Sequence, residues 1–303
     1  METHLRPQSV AVELAAALAS HVAARASIEL LVIKGPVLAA QGLRAPRVYA
    51  DVDVWVPQLD AERFVDLLRD QGWHERGPSW FLERVGSHSF TLIHDAWPCD
   101  IDIHVRFPGM LAPDDVVFGE LWRTRSGVSL AGREVQATGR AASAVILALH
   151  SLRQIWDVAR KNELDQLIVR VKDDAELIEA VRRLASIVGA NETLAPFFEA
   201  LGVETLTGFA PDPRALRAWD GRRAHHSRTG QWLEFLTKTP RRARAHEFWM
   251  IIWPPRELYL QDHPDAPDDR AHLFIARLRR LLKGANGVMR IAIQKVRMKG
   301  SAS

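Results

Sequence analysis

The 303-residue chain contains one cysteine and no long hydrophobic run. A lone Cys99 cannot form an internal disulfide, and no Cys/His group has zinc-finger spacing, so no disulfide partner and no oxidising compartment is called for. Cys99 reads as a small buried core residue. The longest apolar stretches, residues 30–33 and 141–149, fall well short of the roughly 20 residues that a membrane span needs. Residues 1–10 carry Glu2, Arg6 and Pro7 without an apolar signal core, so a cytoplasmic protein without stable membrane insertion is expected. Internal repeats and low-complexity tracts are missing. Lys34-Gly35 lacks the remainder of a P-loop, and Gly86-Ser87-His88-Ser89 lacks the second glycine of a nucleophile elbow. The carboxylates of residues 262–269 do not follow calcium-loop spacing and read as a solvated loop, and His225-His226 has no partner at metal-ligand spacing.

What is present is an ordinary globular composition, 47% hydrophobic and 25% charged, long enough for one large domain or two smaller ones with apolar cores. The net charge of +3 conceals a split. From Arg214 onward there are 19 Lys and Arg against 8 Asp and Glu, whereas residues 1–213 carry 21 against 29. A basic half suits phosphate-bearing partners such as nucleotides, RNA or anionic lipid, and equally a solvated basic helical surface.

Residues 10–24 have helical apolar spacing, residues 30–33 form a short β-branched run, and Pro36 to Gln41 reads as a short helix stopped at Gly42. The Gly35 amide then lies near a helix N-terminus, where anions bind. Asp51-Val-Asp-Val-Trp-Val56 alternates strictly, placing Asp51, Asp53 and Trp55 on one face and three valines on the other. A helix over 60–71 and strands over 80–84, 88–93 and 100–107 follow. From Arg140 the pattern becomes helical, with helices expected over 141–159, 162–171, 175–187, 216–219, 231–236, 244–252 and 271–282. The reading is an α+β fold: residues 1–138 form a domain on a mixed sheet, and residues 139–303 form a mostly helical substrate or acceptor domain.

Asp51-Val-Asp53 and Asp100-Ile-Asp102-Ile-His104 are the sharpest local features. Period two sends the carboxylates of each strand to one face. Adjacent strands with those faces aligned would bring three or four carboxylates together, which is unfavourable without a cation. Oxygen donors point to Mg²⁺ or Mn²⁺, and two ions bridged by a shared carboxylate would clamp the oxygens of a phosphoryl or nucleotidyl transfer. The other reading leaves Asp51, Asp53 and Asp100 in solvent or paired with Arg47 and Arg106. Most tryptophans of the helical region read as core, and Trp55 as core or as the border of a nucleotide pocket. The helix over 271–282 places Leu273, Phe274, Leu278, Leu281 and Leu282 on one side with arginines around the rest. Packing on its own domain is the expected use, and binding to a membrane surface or an acidic partner the alternative.

Leu31-Val-Ile-Lys34-Gly35, then Arg47 four residues before Asp51-Val-Asp53, then Asp102-Ile-His104, resembles the uncharacterised nucleotidyltransferase family of the DNA polymerase β-like superfamily. The resemblance covers about residues 28–108 and extends weakly to His150 and Trp156 ahead of Asp165, and to Trp253-Pro254-Pro255 and the Arg-rich helix ending near Arg280. It implies a polymerase β-like catalytic domain that moves a nucleoside monophosphate from an NTP to an acceptor hydroxyl with release of pyrophosphate. It further implies Asp51, Asp53 and Asp102 as ligands of Mg²⁺ or Mn²⁺, Asp102 also as the base toward the acceptor, and Gly35 at the phosphate-binding turn. Lys34 and Arg47 would face the NTP phosphates, with a salt bridge from Arg47 to the Asp cluster equally open. Asp100 matches no expected ligand and stays a spare candidate, and His104 either orients Asp102 or satisfies the core. Pro36, where the superfamily usually has Ser or Gly, removes an N–H from the turn. The acceptor is a small molecule, a peptide or protein, or a tRNA end. The alternative is a non-catalytic nucleotide- or RNA-binding module on the same fold.

Overall fold

In the computed structural model, residues 5–76, 89–224, 235–237, 239–262, 267 and 269–300 are described. The sequence signals translate directly at the N-terminus. Helix α1 (Leu5–Arg25), strand β1 (Leu31–Ile33), helix α2 (Gly35–Ala40), strand β2 (Asp51–Trp55) and helix α3 (Ala61–Arg69) follow in order. Next come β3 (His74–Glu75), β4 (Ser89–Ile93) and β5 (Asp100–His104). The strand expected over 80–84 lies outside the described residues, as do His225-His226 and most of the helix expected over 231–236. Helix α4 (Asp114–Arg123), which the sequence reading omitted, precedes the hairpin β6 (Ser126–Leu130) and β7 (Arg133–Ala137).

These strands form one mixed seven-stranded sheet in the order β3-β4-β5-β2-β1-β7-β6. Strand β2 pairs antiparallel with β1 and parallel with β5. Alternation along β1, β2 and β5 divides the interior in two. Val32, Val52, Val54, Ile101 and Ile103 pack with α1 and α3 on one face, whereas Leu31, Ile33 and Trp55 pack on the other with Phe107 and the helices that follow the sheet.

Those helices are α5 (Arg140–Leu152), α6 (Val158–Val171), α7 (Ala175–Ile187), α8 (Ala195–Leu201) and α9 (Pro213–Ala224). The single helix expected over 141–159 is instead broken between Leu152 and Val158. Asp157 takes an extended conformation and accepts hydrogen bonds from the amides of Ala159 and Arg160, capping α6, as short polar side chains do at helix starts. The described residues fall into two compact units, one holding 5–76 and 89–223 and the other running from 224 onward. The sheet and helices α5 to α8 thus share one hydrophobic cluster in the first unit, and residue 138 lies between β7 and α5 within it. The second unit contains α10 (Arg241–Ile252), α11 (Arg256–Asp262) and α12 (Arg270–Gly300), the last far longer than the 271–282 segment expected.

Candidate active site

The phase of the two acidic strands determines the site. In the parallel β2–β5 pair Asp51 lies opposite Asp100, Asp53 opposite Asp102 and Trp55 opposite His104. Register-matched residues of neighbouring strands share a face, so all four carboxylates stand on the Trp55 side of the sheet. Exposure is graded along it: Trp55 and His104 are buried, Asp53 is nearly so, and Asp51, Asp100 and Asp102 are half-buried. The approach from solvent is therefore at the start of the two strands.

Strand β1 delivers the turn. Ile33 pairs with Asp53, so the chain leaves β1 beside that carboxylate. Lys34 has φ +53° and Gly35 φ +48°. A left-handed lysine is uncommon and costs on the order of 1–3 kcal/mol, and here the turn aims the side chain back. Its Nζ lies 2.5 Å from Asp53 Oδ1 and 5.5 Å from the centre of the Phe107 ring. Nothing stands within 4 Å of where a Cβ on Gly35 would lie, leaving the turn open on that side.

His104 Nε2 is 2.7 Å from the same Asp53 Oδ1. Burial and the neighbouring Lys34 ammonium lower the His104 pKa, against the raising effect of Asp53. The neutral ring therefore donates Nε2–H to the carboxylate, a tautomer assigned from the network. Asp53 would be raised by its burial, but Lys34 and His104 outweigh this and hold it well below the usual carboxylate range. Asp102 moves the other way. Burial, with the Asp53 and Asp51 charges adding to it, pushes it up to about 6 against the lowering effect of a 2.6 Å hydrogen bond from Thr91 Oγ1. Asp51 is raised by burial and by Asp53. One strand face therefore carries a firmly ionised carboxylate beside two that resist ionisation.

Carboxylate oxygens of Asp53 and Asp102 and a ring nitrogen of His104 lie within 4.8 Å of one another. The two carboxylates suit a hard divalent cation such as Mg²⁺ or Mn²⁺, with His104 Nε2–H committed to Asp53, and such a cation would offset the burial and the Asp53 and Asp51 charges that raise Asp102. Asp51 stands on the same face outside this group, one alternation step nearer solvent. Asp100 instead accepts from Arg76 Nη2 at 2.7 Å, not from Arg106 or Arg47.

Among the described residues Arg47 pairs with Glu163 and not with the aspartates. It is half exposed, reaches Glu163 Oε1 at 3.4 Å and lies 5.6 Å from the centre of the Tyr49 ring. Glu163, absent from the sequence reading, is a hub: Arg44 Nη2 lies 2.5 Å from its Oε1, and Arg160 Nη1 3.1 Å and Ser151 Oγ 3.3 Å from its Oε2. A carboxylate in the middle of an exposed-looking helical pattern carries no local signal for three arginines arriving from the loop before β2 and from its own helix. Burial, with the nearby Lys34, Arg160 and Arg153 charges, lowers the pKa of His150, on α5, well below its ordinary value. Trp55 is fully buried, its ring centre 6.2 Å from that of Phe107 in a stacked arrangement.

Adjacent strands of a mixed sheet thus present matched aspartates beside a Lys-Gly turn. The sequence matches the family described as uncharacterised nucleotidyltransferase over residues 5–190, and the chain belongs to that family. No curated protein matches it. Among solved structures it resembles the antibiotic-resistance factor ANT(2'')-Ia in solution, with 14% identity over 61% of this chain and 96% of that one and a TM-score of 0.38. An antigenic nucleotidyltransferase-like protein from Paracoccidioides brasiliensis matches with 12% identity over 66% and 94% and a TM-score of 0.38. The lincomycin-bound lincosamide antibiotic adenylyltransferase LnuA matches with 14% identity over 51% and 94% and a TM-score of 0.34.

Proposed function

We propose that the protein is a metal-dependent nucleotidyltransferase that moves a nucleoside monophosphate from an NTP to an acceptor hydroxyl and releases pyrophosphate. The observation that carries this reading is the matched Asp53–Asp102 pair beside the strained Lys34-Gly35 turn. Asp51, Asp53 and Asp102 would hold Mg²⁺ or Mn²⁺, which when bound neutralises the triphosphate and the departing pyrophosphate. The chain's own groups do the rest. Lys34 and His104 keep Asp53 ionised, the Gly35 turn leaves room for phosphate, and Asp102, the carboxylate with the raised pKa, accepts the proton of the acceptor hydroxyl. Residues 1–138 supply these groups and the helices of residues 139–303 the contacts to the acceptor. Positioning and charge neutralisation then supply most of the rate, as in phosphoryl transfer generally.

The test is transfer of label from each α-labelled NTP to small-molecule, peptide and tRNA acceptor pools, paired with a thermal-shift titration of NTP and Mg²⁺. Asp53→Asn and Asp102→Asn are expected to abolish transfer and the metal-dependent shift while remaining folded. Undiminished transfer by either folded variant overturns the assignment. One observation favours the second reading, a module that binds nucleotide without turnover: Asp53 Oδ1 is already engaged by Lys34 and His104. Metal-dependent NTP binding with no pyrophosphate release from any acceptor pool would establish it.

A further inference from the structure

Helix α12 leaves in solvent most of the apolar face that its sequence carries over residues 273–289. Leu273 is buried, but Phe274, Leu278 and Leu282 are 55%, 45% and 56% exposed, and Leu281, Val288 and Met289 are exposed as well. At 100° per residue these six exposed side chains fall within an arc of about 120°. The expected packing of this face on its own domain is thus met at Leu273 and Phe274 and not at Leu278, Leu281 and Leu282.

Two further features say what covers the face. Residues 270–300 contain nine Lys or Arg and no Asp or Glu, and Arg279 and Lys283 stand exposed on the side away from the apolar arc. At one end of that arc is an aromatic cluster. Phe274 meets Trp253 edge-on at 5.8 Å, Trp253 stacks on Trp249 at 6.1 Å, and Arg277 lies 5.2 Å from the Trp253 ring centre while donating to the Pro254 carbonyl. Trp249 and its neighbour Phe248, both on α10, are 59% and 49% exposed. Aliphatic side chains, exposed tryptophan and a helix rich in basic residues with no acidic residue of its own are together the chemistry of a helix lying in the headgroup layer of a membrane.

We propose that α12, with the Phe248 to Trp253 cluster, docks the protein on an anionic lipid surface. The helix lies on the bilayer, since no helix among the described residues is long and apolar enough to cross one. An RNA partner would use the basic residues and leave Leu278, Leu281, Leu282 and Met289 in water. A second copy of the chain would bring together two basic helices with no carboxylate to oppose them. Each basic residue near a negatively charged membrane is worth about a five-fold gain in affinity.

The experiment is flotation of the full chain with vesicles of phosphatidylcholine alone and of phosphatidylcholine mixed with phosphatidylglycerol, read together with tryptophan emission. The wild type is expected to float with the mixed vesicles at least ten-fold more tightly than with the neutral ones, with a blue shift as tryptophans enter the interface. Leu278→Asp with Leu282→Asp, and separately Arg279→Glu with Lys283→Glu, should each cost at least ten-fold. All four positions are exposed, and circular dichroism checks that the fold is kept. Failure to float with the mixed vesicles overturns the proposal, as does equal binding to neutral ones or wild-type binding by the leucine pair. Lipid-free self-association lost in the leucine pair, or RNA retention without vesicle binding, reassigns the face and equally overturns it.

Discussion

Lys34 shows how one residue carries opposing energies. Its left-handed backbone is unfavourable, while its ammonium neutralises Asp53. The two effects separate experimentally, because Lys34→Ala keeps the strain and loses the charge whereas Lys34→Gly loses both. Thermal melts should place the glycine variant above the alanine variant by about 1 kcal/mol, since glycine tolerates φ > 0 at little cost. Asp102 provides a pH readout of the metal-free protein. Its carboxyl is raised from 3.8 to about 6, so between those values the folded state holds a proton that the unfolded chain has released. Stability from this group is present at low pH and is lost as pH rises through about 6. Asp102→Asn should therefore gain in Tm over the wild type between pH 5.5 and pH 7.5, a difference from which the opposite effect of His104 and His150, both lowered by burial, drops out, and Mg²⁺ should raise the wild-type Tm at the higher pH.

At the level of elements, the same alternation that makes β2 and β5 readable as strands also places their aspartates. The two Asp-x-Asp units share one phase, so any parallel pairing that buries the valines and isoleucines aligns the carboxylates. That much could be read from residues 51–56 and 100–104. The Asp157 cap that splits 141–159 was visible in principle as a short polar residue ahead of a helical run, and so was α4, with Asp114 and Asp115 in its first turn and Arg123 in its last. The Glu163 hub was not, because only tertiary contact brings Arg44 and Arg47 to it. Its weight is testable. Glu163→Gln leaves the buried Arg44 without its carboxylate and should cost about 3 kcal/mol in urea unfolding, and adding Arg44→Met should recover much of that loss.

For the whole molecule, the charge split located the basic half but not how it is used. Periodicity over 271–282 showed an amphipathic helix. Whether such a face is covered depends on the rest of the chain, and here Leu278, Leu281 and Leu282 remain in solvent. The fold class was readable because the strand signals cluster before residue 138 and the helical ones after it. The compact unit joining sheet to helices was not, because the shared cluster of Leu31, Trp55 and Phe107 with α5 to α8 forms across more than a hundred residues of chain.

The solitary thiol is a consequence of another kind. Cys99 is buried one residue ahead of the strand that bears Asp102, and burial together with Asp100 and Asp51 pushes it up to about 11. At pH 8 only about one thiol in a thousand is in the reactive thiolate form. Alkylation then reports how often the start of β5 comes away from the valine and isoleucine side of the sheet, a single-hit chemical clock on the strand that bears Asp102.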